Sequence, residues 1–327
     1  MNIEFYCPSS PRSDGEVLVE FLAKLLNELH PTLKASWQSV PVPDSLDAID
    51  RLPPERRKHA FPLACPTTDF LLARAGGGPP KHRYNRKYTD LMFAGAITRW
   101  GWTFLTPHPE LASDPRKLAG RTVGVVHGPA SEHWGSPTLL SNAILRDAWG
   151  IHDRVKQVEV AVPDVGRAFA GKEVDAVFWG KADVCGGQFV TPAPFVNLLR
   201  ENQYYWLPLS PADVDRINAA NAWKTRLIKV PRGGVSLPGT PTGTINPPED
   251  VAMADFCGAL VAWADTEEEI VYDLLKFIAD NAARFAAAKI HIAPDLESLP
   301  RFPGLTEDMV HPGARRYYRE QGIKIGQ

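Results

Sequence analysis

Cysteine is scarce in this chain. Four occur in 327 residues, Cys7, Cys65, Cys185 and Cys257. They lie far apart, with no CxxC and no Cys/His spacing of a structural zinc site, so no metal is expected and no disulfide framework is implied. No apolar run reaches the length of a membrane span, which argues against direct membrane insertion. Neither sign of charge is in excess: 36 Lys and Arg stand against 38 Asp and Glu, a formal net charge of −2. That balance gives no general drive toward nucleic acid or anionic lipid. The phosphate-binding GxxxxGK[ST] is missing, "GVVHGP" is not GxGxxG, and neither HExxH nor GxSxG occurs, so no cofactor is expected. Met1 leads directly into the strand-like "NIEFYC", without the basic start and apolar run of an export signal. The expected location is therefore the periplasm if a signal peptide has been removed, and the cytoplasm otherwise.

What is present is ordinary globular material, 44% apolar and 23% charged, in a chain longer than one average core. Thirty prolines and nine tryptophans stand out. Prolines punctuate loops and crossovers; tryptophans fill cores or cover ligand clefts.

Strand-like and helix-like segments alternate, which predicts an α/β fold. Strands are expected at 2–7, 33–40 and 61–66, with helices at 13–30 and 67–75. Segments 88–98 and 101–107 read as two consecutive strands. A second α/β series follows: a strand near 121–126, then 155–162, a helix over 164–174 and a strand over 175–180. Helices are expected at 191–202 and 212–223. The Pro/Gly-rich 230–250 reads as irregular, and 251–264 as a strand. The helix over 266–288 carries the clearest apolar stripe, with Thr266 able to cap it. "HPGARRYYREQG" (311–322) reads as a short helix opened by Pro312 and closed by Gly322, burying Tyr317 or Tyr318 against the sheet. The expected organisation is lobe 1 over 1–105, lobe 2 over 106–234 and a return to lobe 1 over 235–327. A ligand cleft is expected between the lobes, where strand C-termini and helix N-termini converge.

Three strand-to-helix turns carry the candidate chemistry: "YCPSSPRSDG" (6–15), "ACPTTDF" (64–70) and "VVHGPASEHW" (125–134). They put Ser9, Ser10, Thr67, Thr68 and Ser131, with Gly128, where free backbone N–H groups accumulate, a setting that suits a carboxylate. Helix capping alone explains any one of these hydroxyls. Trp179, ending "DAVFW", is a candidate to cover the apolar part of a ligand. If the chain is an enzyme, Cys7 or Cys65 with His127 or His133 would supply a thiol and a base. A buried cysteine and a structural histidine are the plainer readings. The basic run 81–87 reads either as an anion-docking surface or as a solvated loop.

Two segments, "KLAGRTVGVVHGPASEHW" and "GKEVDAVFW", resemble the second-lobe pattern of type II periplasmic binding proteins. "TEEEIVYDLLKFIADN" followed by "HPGARRYYREQG" resembles the end of TAXI-type solute receptors of TRAP transporters. The resemblance implies a two-lobed type II periplasmic-binding-protein-like fold that closes on a small organic anion, such as a carboxylate, and passes it to a membrane permease. The family's Gly-rich, Tyr-containing first turn is replaced here by "CPSSPRSDG". A second class stays open beside it. Cytoplasmic enzymes resemble the same fold, among them decarboxylases of dihydroxyphthalate type and a cysteine-dependent aromatic-sulfinate desulfinase. In that case the chain would be a lyase or hydrolase using the cleft.

Overall fold

The computed structural model describes residues 1–7, 14–40, 44–64, 67–77, 84–125, 136–161, 164–185, 187–191, 195–236, 245–288 and 302–326. The chain forms two compact units. One comprises Met1–Arg99, Ala222–Lys224 and Cys257–Gln327; the other comprises Trp100–Asn221 and Thr225–Phe256.

The first unit opens with β1 (Asn2–Cys7), α1 (Asp14–Leu29), β2 (Lys34–Ser39), α2 (Asp44–Asp50), α3 (Pro54–Arg57), β3 (Ala60–Ala64) and α4 (Thr67–Ala75), then enters β4 (Leu91–Thr106). β1 runs parallel to both β2 and β3, with Phe5 level with Trp37 and Phe61. α1 buries Leu18, Val19, Leu22, Leu25 and Leu26, spaced to fall on one helical face. Val17, one position before that buried face, is exposed.

β4 is one continuous strand where the sequence predicts two. The Arg99–Trp100–Gly101 junction contains glycine, but not as a breaker. A Cβ at Gly101 would sit 2.8 Å from the Ile228 side chain, so glycine here permits close packing inside an extended, buried strand.

The second unit carries α5 (Pro109–Ser113), β5 (Thr122–Val125), α6 (Ser136–Ala143), β6 (Lys156–Glu159), α7 (Val165–Ala170), β7 (Ala176–Cys185), β8 (Gln188–Val190), α8 (Val196–Glu201), β9 (Tyr205–Trp206), α9 (Pro211–Ala220), β10 (Arg226–Val230) and β11 (Val235–Ser236). β5 pairs in parallel with β6 and β7, while β7 is antiparallel to β4 and β8. α9 starts with a capping box: Ser210 and Asp213 satisfy each other's backbone N–H groups, with Pro211 in the first turn. Within the 230–250 stretch, where the sequence reads as irregular, Val235 and Ser236 form β11 and pair in parallel with β8.

β12 (Val251–Trp263) pairs with β10 through its first half and with β3 at Ala259 and Leu260. α10 (Glu268–Asp280), α11 (Ala282–Ala287) and α12 (Pro312–Glu320) complete the first unit. The long helix expected over 266–288 is broken at Asn281, whose side chain donates back to the Phe277 carbonyl at 2.8 Å. Thr266 does not cap α10. Its hydroxyl donates to the Lys58 carbonyl at 2.8 Å and accepts the Trp263 N–H at 3.2 Å, tying β12 to the loop before β3.

α12 explains its own sequence. His311 is buried and is the N-cap: its Nδ1 accepts the Gly313 N–H at 3.2 Å, and its Nε2 donates to the Thr266 carbonyl at 3.1 Å. Gly313 lies against the backbone of α10, where an added Cβ would come within 2.2 Å of the Glu268 carbonyl oxygen. Tyr318 is fully buried and donates to the Ala94 carbonyl of β4 at 2.8 Å.

Candidate functional site

In the first unit the parallel pairing decides which turns share an edge. Tyr6 is level with Pro62, so β1 and β3 end side by side and the turns at 6–15 and 64–70 leave the same C-terminal edge. α4 begins at Thr67, immediately beyond β3. Its first-turn N–H groups have no partners within the helix, and its dipole is positive there. Thr68 is fully buried in that turn, and its hydroxyl has no hydrogen-bond partner. A capping hydroxyl would be bonded to backbone, so capping does not account for Thr68. Asp69 follows, also buried, and its carbonyl accepts the Tyr84 hydroxyl at 3.4 Å. Cys7 ends β1 with no exposed surface. Ser9, Ser10, Cys65, His127, Gly128, Ser131 and His133 lie outside the described residues.

In the second unit Gly124 of β5 is level with Val177 of β7. Trp179, two residues further along β7, therefore reaches the end of β5, where the third turn begins. Its ring meets Trp102 edge-on at 5.1 Å and stacks on Phe195 at 5.6 Å. Trp102 stacks on Phe178 at 5.0 Å and meets Trp100 edge-on at 6.3 Å. Antiparallel pairing sets Trp102 opposite Lys181 and Trp100 opposite Asp183. Lys181 and Asp183 form a buried ion pair at 2.9 Å, and the ammonium lies 4.9 Å from the Trp100 ring centre. Sequence reasoning missed this pair. The signal was available: Trp179, Lys181 and Asp183 alternate along "WGKAD", which puts all three on one face of a strand.

Two other polar features are accounted for locally. Within the basic 81–87 run, of which 81–83 lie outside the described residues, Arg86 is held by Asp50 at 2.8 Å and Asp90 at 2.7 Å. The same Arg86 hydrogen bonds hold the Asp50 carboxyl below its usual range. A shallow groove lined by Asn2, Glu4, Ser36, Arg56 and His59 lies at the N-terminal end of β1, opposite the edge that carries Thr68. There Glu4 accepts from Gln38 at 3.0 Å and from Tyr6 at 3.1 Å. Burial, aided by the Glu4 charge, pushes the Tyr6 phenol up to about 12. Among the described residues no three His, Cys, Asp or Glu side chains gather as metal ligands. Among them, too, no helix is long and apolar enough to cross a membrane.

The sequence profile of the NMT1-like family matches residues 153–322, more than half of the chain. The chain belongs to the NMT1-like family. The NMT1-like match runs from β6 to α12 and so includes Trp179, Lys181, Asp183, His311 and Gly313. Comparison with curated proteins finds no match. Among solved structures, the chain is similar to MatC from Rhodopseudomonas palustris with bound malate, at 13% identity and a TM-score of 0.53, over 98% of this chain and 96% of that one. It is similar to R. palustris Rpa4515 with adipate, at 13% identity and a TM-score of 0.51, over 98% and 95%. It is also similar to the periplasmic binding protein BugD, at 12% identity and a TM-score of 0.53, over 100% and 99%. These likenesses bear out the two-lobed periplasmic-binding-protein fold expected from the sequence.

Proposed function

We propose that this NMT1-like chain is a solute receptor for a small organic carboxylate, bound in the inter-lobe cleft that the sequence leads one to expect. The observation that carries the reading is the buried, unbonded Thr68 hydroxyl in the first turn of α4, where backbone N–H groups have no acceptor within the helix itself. Support also comes from MatC and Rpa4515, whose structures contain malate and adipate. In this reading Ser9, Ser10, Thr67, Gly128 and Ser131 supply further polar contacts from the neighbouring turns, and Trp179 meets the apolar part of the acid. In the same reading, which the C-terminal resemblance to TAXI-type receptors supports, the chain hands its ligand to a TRAP-type permease, working in the periplasm if a signal peptide has been removed.

Thermal unfolding with a panel of carboxylates tests the reading. A true ligand at a hundred times its Kd stabilises by about 2.7 kcal/mol, without product formation. Thr68→Val keeps the shape of the side chain and removes a hydroxyl that bonds to nothing. It should weaken acid binding about tenfold while leaving the unliganded protein as stable as before, or about 1 kcal/mol more stable. A Thr68→Val protein that binds acids normally but unfolds more easily would assign the hydroxyl to structure instead.

A further inference from the structure

We infer that the acid taken up by this chain carries an aromatic or similarly flat ring, and that its oxygens accept hydrogen bonds from indole N–H groups of the second unit. The inference rests on the receptor reading and adds the ligand class. The Nε1 atoms of Trp100, Trp102 and Trp179 are all buried, and none has a hydrogen-bond partner. An indole N–H can only donate, and buried tryptophans nearly always find an acceptor. The Trp206 Nε1, outside this cluster, is likewise buried without a partner, so a single orphan carries no argument. Three in a single edge-to-edge cluster form a set of donors without an acceptor.

The remaining geometry narrows what that acceptor is. Trp100 and Trp102 are 5% and 4% exposed, whereas Trp179 is partly exposed, so an entering group meets Trp179 first. Lys181 and Asp183, on the same strand face, cancel each other's charge at 2.9 Å. An anion here is therefore held by fixed N–H dipoles rather than by a net cation, which suits a delocalised carboxylate or sulfonate. The rings in contact with one another around these donors' side chains are Trp100, Trp102, Trp179, Phe178 and Phe195. Offset and edge-on contacts with these rings favour a ring-bearing acid. An aliphatic acid of equal charge gains none of this.

The test is titration of 15N-labelled protein with benzoate, benzenesulfonate and malate, following the indole N–H signals and measuring affinities by calorimetry. Trp→Phe variants at 100, 102 and 179 assign the three signals. The expected result is that an aryl acid binds at least about tenfold more tightly than malate and moves those signals downfield. Trp179→Phe, which keeps a ring and loses the donor, should weaken aryl binding about tenfold. The inference falls if malate binds as well as the aryl acids, or if the aryl acids bind without moving the three signals. It also falls if those signals already report hydrogen-bonded indoles before any acid is added. Binding of malate alone leaves the receptor reading standing and removes only this inference; binding of no acid at all removes both.

Discussion

Replacing His311 should cost this protein more than any other single change in its C-terminal helix. The imidazole ties the start of α12 to the segment just before α10, from the buried side of a helix pair that the Arg316–Glu269 ion pair also joins. Its Nδ1 caps α12 through Gly313, and its Nε2 satisfies the Thr266 carbonyl just before α10. His311→Ala removes an N-cap, worth about 0.5–2 kcal/mol, and leaves a buried carbonyl unsatisfied, worth about 1–3 kcal/mol. The combined loss should be about 2–4 kcal/mol. His311→Asn restores a capping acceptor but is too short to reach Thr266, so it should recover about 1 kcal/mol. Burial also pushes the His311 pKa down from the ordinary value of 6.5. As pH falls below about 6.5 the unfolded chain takes up this proton before the folded chain does. Stability present at neutral pH is therefore lost progressively toward the lower folded-state value. Burial lowers His30 in the same direction, so the His311 share is the difference between wild type and His311→Asn. Urea unfolding between pH 5 and 8, followed by circular dichroism, measures both effects. A His311→Ala protein within about 0.5 kcal/mol of wild type, or a His311→Asn protein with an unchanged pH slope, would refute this account of the motif.

Three further changes test the packing around that helix and the separate ion-pair network at Arg86. Gly313→Ala places a methyl 2.2 Å from the Glu268 carbonyl oxygen, so α12 and α10 must separate; urea unfolding should show a loss of about 1–3 kcal/mol, whereas Gly322→Ala, which meets no atom within 4 Å but lies at φ +68°, should cost only its backbone strain of about 1 kcal/mol. Arg86→Ala breaks the bonds to Asp50 and Asp90. Solvent screens this partly exposed pair, so the expected loss is about 1 kcal/mol, reduced further in high salt.

Much of the fold is legible along the chain because its local periods are strong. The parallel β1–β2–β3 arrangement follows from short apolar runs separated by helical stripes, and α4 begins at the threonine pair that the sequence marks. The breaks that the sequence misplaces have non-local causes. β4 passes through Gly101 unbroken because a side chain from β10 fills the space above it. Thr266 gives up its expected capping role because Lys58, distant in sequence, offers its hydroxyl a better partner. The change from one unit to the other occurs inside β4 and β12, and a continuous strand carries no compositional mark of such a boundary.

By itself the sequence determined the α/β alternation, the candidate turns and the identity of the terminal helix. It did so because helical and strand periods, caps and turn residues act over a few neighbouring positions. "HPGARRYYREQG" shows where that reach ends. Proline at the helix start is a local preference, but histidine and glycine beside it answer to α10, more than thirty residues earlier. Only tertiary structure decided that Thr68 is left without a partner, that Lys181 pairs with Asp183 beside a row of tryptophans, and that three indoles with unpartnered N–H groups meet edge to edge. Each depends on strand register, and register is set by contacts that no local stretch of sequence contains.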